Sequence, residues 1–407
     1  MNIWILNHYA ISPKSNGGTR HFDLARELIE KGHSVRIFAS SFNHFEQKET
    51  VQYGKDVYRE ETINDVEYTW IKTPSYMSSL KRLINIGVFS IRLNHVINRY
   101  FKFERPDLII GSSVHPLTPL VGIRKAKKAH ALFYFEERDL WPQTFIDFGM
   151  ISKKNIVSKL LFSIEKYLYR NSDKVIFLFE RANEYAYKNG LPANKNIYLP
   201  NGFSVERVNA VKSSQEIDKL LAPYHEKKVC VYTGSMGEAN HMIRLLELAD
   251  LMQNNKEYHF LFVGNGPLKS SLVEYAEGKK MKNVSFHASI PKEQIPYLLN
   301  KAHCGLLSMK DSPLYKWGFS MNKIYDYLSV GLPVLIYTGL ESLGELEKGK
   351  VVFYSNSVEG LRDMLLQESD VDRQYIQDFA HEHYSWEVLA NKLLEEVYRN
   401  QAEVHKN

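Results

Sequence analysis

Residues 318–334, GFSMNKIYDYLSVGLPV, set a lysine and an acid on the first turns of a helix that starts beside a glycine. Ser320 to Asn322 can cap that helix, so its free amide hydrogens and its macrodipole favour an anion there, and Lys323 adds a full positive charge. One turn further on, Asp326 is an acceptor-only carboxylate that can take two hydroxyl hydrogens at once, as a ribose diol would offer them. Gly331 stops the helix and Pro333 opens a buried strand, Val334 to Tyr337. The chemistry is that of holding a nucleotide's ribose and phosphates. An ordinary capped helix with a solvated lysine and aspartate would use the same residue types, so the segment has to be read with its neighbours.

Four other stretches keep it company. SNGGTRHFDLARELIEKGH brings Gly17 and Gly18 to a helix start with Arg20 and His21 in the first turn, where bare backbone can approach a phosphate. Its spacing is not the three-glycine dinucleotide fingerprint, which weighs against a dehydrogenase. VYTGSMGEANH puts Gly234 and Gly237 after one strand, and FLFVGNGPL puts Gly264 and Gly266 after the next; either alone could be a tight turn, but together they could line one phosphate and sugar pocket. FYFEERDLWPQ places Glu136, Glu137, Arg138 and Asp139 just beyond a strand end, where a carboxylate could orient an acceptor hydroxyl or the charges could simply pair with one another. Asp370 and Asp372 are two apart, as in some manganese sites, but lie in the polar run QESDVDRQ and read as solvated surface. With no zinc spacing, serine elbow or P-loop, neither a metal nor a covalent nucleophile is expected.

The elements that must position these residues alternate. Strands are expected at Ile3 to Asn7, Ser34 to Ala39, Leu108 to Gly111 and Ala131 to Phe135, with a helix from about Gly18 to Lys31. The pattern restarts with Val229 to Thr233, a helix from about Asn240 to Gln253, then His259 to Val263, Val284 to His287, Gly305 to Ser308 and Val334 to Tyr337. Such alternation argues α/β architecture with parallel sheets wrapped by helices. At 407 residues the chain exceeds what one core fills, so two doubly wound domains are expected, 1–200 and 201–380, facing each other across a cleft. A hinge should follow LPNG at 199–202, because the stretch to about Tyr224 is polar and aperiodic. A C-terminal helix at 381–400, rich in HYSWEVLANKLLEEVY, is expected to pack back on the first domain.

Charge is uneven: residues 1–200 hold 29 Lys and Arg against 20 Asp and Glu, which leaves the remainder net acidic. The basic half should face something anionic. SLKRLINIGVFSIRLNHVINRYFKF (79–103) and KKNIVSKLLFSIEKYLYR (153–170) mix cations with large apolar residues and could lie on an anionic leaflet, or could pack their apolar faces on the sheet with only the cations outside. No stretch approaches the roughly 20 apolar residues of a spanning helix, and IWIL at 3–6 is too short for a signal segment. Cys230 and Cys304 sit in apolar runs and suit reduced core thiols in a cytoplasmic protein.

In order along the chain, NGGTRHFDLAREL, ERDLWPQ, YLPNG, VYTGSMGEA, VGNGP and SMNKIYDYLSVGLPV resemble retaining GT-B glycosyltransferases of family four, and within them the bacterial N-acetylfucosamine transferases of O-antigen and capsule assembly. The resemblance implies a UDP-sugar donor bound mainly by the C-terminal domain and an acceptor bound by the N-terminal one. The acceptor would be an undecaprenyl-diphosphate-linked saccharide at the anionic inner leaflet. It implies no cofactor, no metal and no nucleic acid, and a protein peripheral on the cytoplasmic face of the plasma membrane. Asp326 matches the acid expected on the donor ribose, and Gly17 and Gly18 match the glycines beside the diphosphate. Gly264 and Gly266 would flank the nucleoside, Phe286 to Ile290, with Ser289, matches the loop at the base, and Gly234, Ser235, Ser320 and Asn322 complete the donor set. Asp139 falls near the reacting sugar, with Glu137 and Arg138 toward the acceptor.

The chain also departs from the family pattern. The first of the family's two glutamates would fall on Gly318, and its phosphate-gripping arginine and lysine on Ser235 and Asn240. Lys323, Arg20 and the amides at 320–323 are the candidates to replace that clamp. A sugar-nucleotide epimerase of the same architecture and a non-catalytic sugar-nucleotide-binding subunit remain open alternatives.

Overall fold

A computed structural model describes residues 1–404 except 16, 45, 148, 211–212, 311 and 368–370. The chain forms two compact units: Met1–Pro200 with Trp317–Phe319 and Leu389–Asn407, and Asn201–Lys316 with Ser320–Val388. Each is built on its own twisted sheet.

In the first unit eight strands run in the order Asn196–Tyr198, Lys174–Phe177, Leu132–Glu137, Leu108–Ser113, Asn2–Leu6, Ser34–Ser40, Val66–Ile71 and Tyr58–Ile63. All neighbours pair in parallel except the last two, which form a hairpin at one edge. Parallel strands covered on both faces need apolar side chains at successive positions, and IWIL supplies them: Ile3 to Leu6 are fully buried. Strand order reverses at Asn2–Leu6, which lies between Ser34–Ser40 and Leu108–Ser113. The loop leaving this switch point carries Gly17 and Gly18 to the helix Arg20–Glu30.

Among the described residues the sheet of the second unit has six strands, all parallel, in the order Val284–His287, Tyr258–Val263, Lys228–Thr233, Cys304–Ser308, Val334–Tyr337 and Val352–Ser355. Here the switch point is Lys228–Thr233, whose carboxyl end opens into Gly234 and Ser235. The two cysteines are buried and stand opposite each other in register on adjacent strands. Both units are Rossmann-like α/β domains.

Several expectations change. The stretch after 202 is not aperiodic: it holds the helices Val205–Ala210 and Gln215–Leu221, the second capped by Ser214. The C-terminal segment is two helices, Arg373–Tyr384 and Trp386–Val404, because Ser385 is extended, bridges to Phe203 and accepts a hydrogen bond from Val388 N. From Leu389 onward that helix belongs to the first unit, where Glu396 pairs with Lys174 at 3.0 Å. Glu136 and Glu137 do not lie beyond a strand but are its last two residues, both buried. Asp372 caps the helix Arg373–Tyr384 by accepting from Tyr375 N, while Asp370 lies outside the described residues. Among the described residues no helix is long and apolar enough to cross a membrane.

Candidate functional site

In the second unit the ends of three adjacent strands are tied together through backbone. Gly234 N donates to Val263 O at 2.9 Å, Gly264 N to His287 O at 3.1 Å, and Met236 N to Asn265 O at 2.9 Å. The approach is so close that only glycine fits: a Cβ on Gly264 would lie 1.9 Å from Gly234 O, and one on Gly266 would lie 2.5 Å from Met236 O. Asn265 Nδ2 then donates to Ser289 Oγ at 3.1 Å, which brings the loop after Val284–His287 into the same group. Lys269 Nζ stitches the turns from beneath, donating to Gly264 O and His287 O at 2.8 Å each.

The helix Asn322–Ser329 reaches this group through one side chain. Its N-cap is Met321 and no side chain caps it, so the expected capping by Ser320 to Asn322 is not what starts it. Ser320 is used otherwise: its Oγ accepts from Asn201 N at 2.8 Å and its carbonyl from Asn201 Nδ2 at 2.7 Å. Lys323 extends under Gly234, where a Cβ would sit 2.4 Å from Lys323 Cε. Its ammonium donates to Asn240 Oδ1 at 3.0 Å and lies 4.7 Å from the centre of the Tyr232 ring. Burial of the side chain pushes its pKa down to about 8, against the opposing charge of Asp326. Gly234, Gly264, Gly266, Ser289 and Lys323 are thus brought together by contact. Asp326 and Asn322 share the lysine's helix, and Gly234 and Ser235 are open to solvent.

In the first unit the expected residues separate into a buried set and an exposed set. Arg20 is 3 % exposed and does not present its guanidinium at a surface. Its Nε donates to Glu136 Oε1 at 2.8 Å, Nη1 to Pro200 O at 2.6 Å and Nη2 to Leu199 O at 2.9 Å. Here Arg20 is a structural tie between the first helix and the end of the unit, which replaces its expected place in a phosphate clamp. His21 Nε2 meets Glu136 Oε2 at 2.7 Å, and its Nδ1 accepts from Asn7 Nδ2 at 2.9 Å. Burial keeps His21 below its ordinary pKa despite the carboxylate, so it is a neutral ring donating through Nε2. Burial also opposes ionisation of Glu136, but Arg20, His21 and Arg138 outweigh it and hold the carboxyl well below the usual range.

Glu137, expected to meet an acceptor, is 1 % exposed and accepts from Tyr169 Oη at 2.5 Å. Burial and the neighbouring Glu165 push its pKa well up. Glu165, which the sequence reading did not single out, accepts from Tyr185 Oη at 2.8 Å and is pushed by burial up to about 8. The pair lies beside a small cavity lined also by Ser113, Trp141 and Leu161, and is a core carboxyl pair rather than an acceptor contact. Asp139, in contrast, is exposed; crowding around its carboxyl raises its pKa, Arg138 opposes, and solvent moderates both. Among the described residues, the buried Nε of Arg138 has no hydrogen-bond partner. Gly17 and Gly18 are exposed, Gly17 at φ +131°.

Gly318, where a glutamate would fall by resemblance, lies at φ +105°, and a Cβ there would come 3.2 Å from Glu180 N. Glycine is required at that position by backbone geometry. Asn240 and Tyr232 were missed because both act on Lys323, remote in sequence, and Lys269 because its acceptors are mostly backbone carbonyls. The one available signal was that Asn240 stands where a cation was wanted.

Two family models match in tandem: "Glycosyl transferase 4-like domain" over residues 17–202 and "Glycosyl transferases group 1" over residues 213–377, together spanning most of the chain. The Escherichia coli K12 protein named as a colanic acid biosynthesis glycosyl transferase, WcaI, is 26% identical over 89% of this chain and 93% of its own length. Sucrose-phosphate synthase from Thermosynechococcus elongatus superposes with a TM-score of 0.71 at 14% identity, covering 99% of both chains. Anabaena HepE, solved with UDP and glucose, gives 0.66 at 15% identity over 98% of this chain and 100% of its own. These superpositions show a shared fold, GT-B. With its two sheets, its glycine-lined strand ends and both family models in sequence order, the chain belongs to the group 1 glycosyl transferases.

Proposed function

We propose that this transferase is retaining and metal-independent, and moves a sugar from a UDP-sugar to an undecaprenyl-diphosphate-linked saccharide during bacterial capsule or O-antigen synthesis. The sugar we favour is an N-acetylated deoxyhexosamine such as N-acetylfucosamine. The observation that carries the reading is Lys323 reaching beneath the bare Gly234 turn, a cation at a glycine-lined strand end suited to a diphosphate. A relative named for a polysaccharide pathway and a similar fold solved with UDP support the same substrate classes. On this reading the second unit binds the donor, with Asp326 on the ribose, Gly264 and Gly266 beside the nucleoside and Ser289 near the base. The first unit binds the acceptor, with Arg138 toward the lipid diphosphate.

The acceptor hydroxyl oxygen forms the new bond to the anomeric carbon while the bond to the donor's phosphate oxygen breaks. The hydroxyl proton passes to that departing oxygen. Retention follows because attack and departure share one face. The protein orients the reactants and stabilises the charge that accumulates on the leaving UDP, for which Lys323 is the nearest cation on the helix. On this reading Asp139, which is exposed just past its strand, orients the reacting sugar or the acceptor.

Attachment to the cytoplasmic face of the plasma membrane would bring the lipid acceptor within reach. Leu80, Leu83 and Ile84 on the helix Ser79–Tyr100 and Ile156, Val157 and Leu160 on the helix Ile156–Asn171 are exposed among Lys81, Lys153, Lys154 and Lys159. Apolar side chains rimmed by cations suit an anionic leaflet.

The test is a panel of UDP- and GDP-sugars scored first by thermal shift and then by radiolabel transfer into a bacterial lipid extract. A UDP-sugar should raise the melting temperature and label the lipid fraction with retained anomeric configuration. Conversion of the donor alone to an epimer, or labelling from a GDP-sugar only, would overturn the proposal.

A further inference from the structure

Lys323 is held more tightly than a surface lysine needs to be. Its ammonium donates to Asn240 Oδ1 at 3.0 Å, and Asn240 is itself fixed by donating Nδ2 to Ser235 O at 2.8 Å. The same carbonyl of Ser235 accepts from Tyr232 Oη at 2.6 Å, and the Tyr232 ring lies 4.7 Å from the ammonium. Asn240 and Tyr232 therefore grip one peptide unit of the turn and one cation together. Gly234 completes the arrangement, because a side chain there would occupy the path of the lysine stem. A free lysine side chain samples many rotamers, and this cradle restricts them before any ligand arrives.

We propose that Asn240, with Tyr232, is a positioning residue that fixes the Lys323 ammonium at the Gly234–Ser235 turn, where it pairs with the diphosphate of the donor. The inference rests on the UDP-sugar reading and adds how this chain supplies a phosphate cation although Ser235 and Asn240 are uncharged. The cation comes from the helix Asn322–Ser329, and the residue at 240 receives it instead of carrying it.

Proton linkage separates this role from ordinary packing. Asp326, three residues along the same helix, is the charged group acting on the lysine; Glu238 lies on the same short turn as Asn240, and Tyr232 is kept neutral by burial. With its pKa lowered to about 8, Lys323 is part neutral in mildly alkaline solution, and a diphosphate beside it restores the proton. The bound state holds more protons than the free state, so affinity falls as pH rises through that region. Between pH ~7 and ~8.5 UDP keeps its own charge, since its last phosphate ionisation lies near pH ~6 and the uracil N3–H ionises only in more alkaline solution.

Titration calorimetry with UDP across that range, in buffers of different ionisation enthalpy, tests the proposal on the full-length protein. Wild type should take up protons on binding, and Lys323→Met should bind weakly with no uptake. Asn240→Leu should weaken binding about tenfold near neutrality and move the fall in affinity to lower pH. Asn240→Asp keeps the acceptor oxygen and adds charge beside the ammonium, so it should move the fall above the wild-type position. The same pH midpoint in wild type, Asn240→Leu and Asn240→Asp, with matching circular dichroism, would overturn the positioning role alone. No UDP binding by wild type would overturn it together with the substrate reading.

Discussion

Glu136 is the next-to-last residue of its strand and is buried, and Arg20 is the charge that makes this tolerable. Removing one partner of a buried ion pair leaves the other uncompensated, so Arg20→Met should lower stability by ~3–5 kcal/mol in urea unfolding at neutral pH. Because the folded carboxyl is held below its ordinary value of 4.5, its contribution is complete above that value and fades in more acidic solution. The gap between wild type and Arg20→Met should therefore narrow in acid. Glu165 behaves oppositely. Its folded pKa of about 8 lies above the ordinary 4.5, so between those values the folded state holds a proton that the unfolded state has released. Stability should fall as pH rises through that window, and Glu165→Gln should flatten the slope. An unchanged slope would show that the carboxyl is ionised inside the fold. Lys323 gives the residue-scale test of catalysis: Lys323→Ala should cut turnover at saturating donor, whereas EDTA should leave the wild-type rate unchanged.

At the scale of elements, the two glycine turns of the second unit divide the work of folding from that of binding. A Cβ on Gly234 meets only the flexible stem of Lys323, while a Cβ on Gly264 meets the backbone of Gly234. Gly234→Ala should keep near-native stability apart from a modest cost for its φ of +127° and should lose UDP affinity by displacing the lysine. Gly264→Ala should lower the melting temperature itself, because neither backbone can retreat. Most strands that carry the site were legible, since parallel strands buried on both faces are continuous apolar runs: Val284–His287 and Val334–Tyr337 fall where the sequence reading put them. The edge hairpin Tyr58–Ile63 and Val66–Ile71 was missed because YREETI is exposed and charged. Its turn at Asn64 and Asp65, both at positive φ, was the signal that could have revealed it.

At the scale of the whole molecule, the excess of cations in residues 1–200 meets an exposed apolar face on two helices of the first unit. The sequence left open whether those apolar residues pack inward or outward, and the structure divides them. Phe89, Leu93 and Leu168 are buried, while Leu80, Leu83 and Ile156 are exposed. Each nearby cation adds about 1 kcal/mol of attraction to an anionic surface. The protein should float with vesicles containing anionic lipid, less with neutral ones, and a Leu83→Glu, Ile156→Glu variant should stay behind without losing UDP binding. Equal flotation with neutral vesicles would remove the electrostatic part of the membrane proposal.

The sequence alone determined the class of fold, because hydrophobic periodicity and strand-end glycines are local properties that a linear reading can measure. It also brought out Lys323, since helix position and charge are visible in a string of letters. Which charges face solvent and which are spent on one another depends on neighbours far away along the chain. Glu136 needed Arg20 and His21, Glu137 needed Tyr169 and Glu165, and Lys323 needed Asn240. Those partnerships were settled by packing, because the cost of burying a charge is set by what lies within a few ångströms of it and not by what precedes it in sequence.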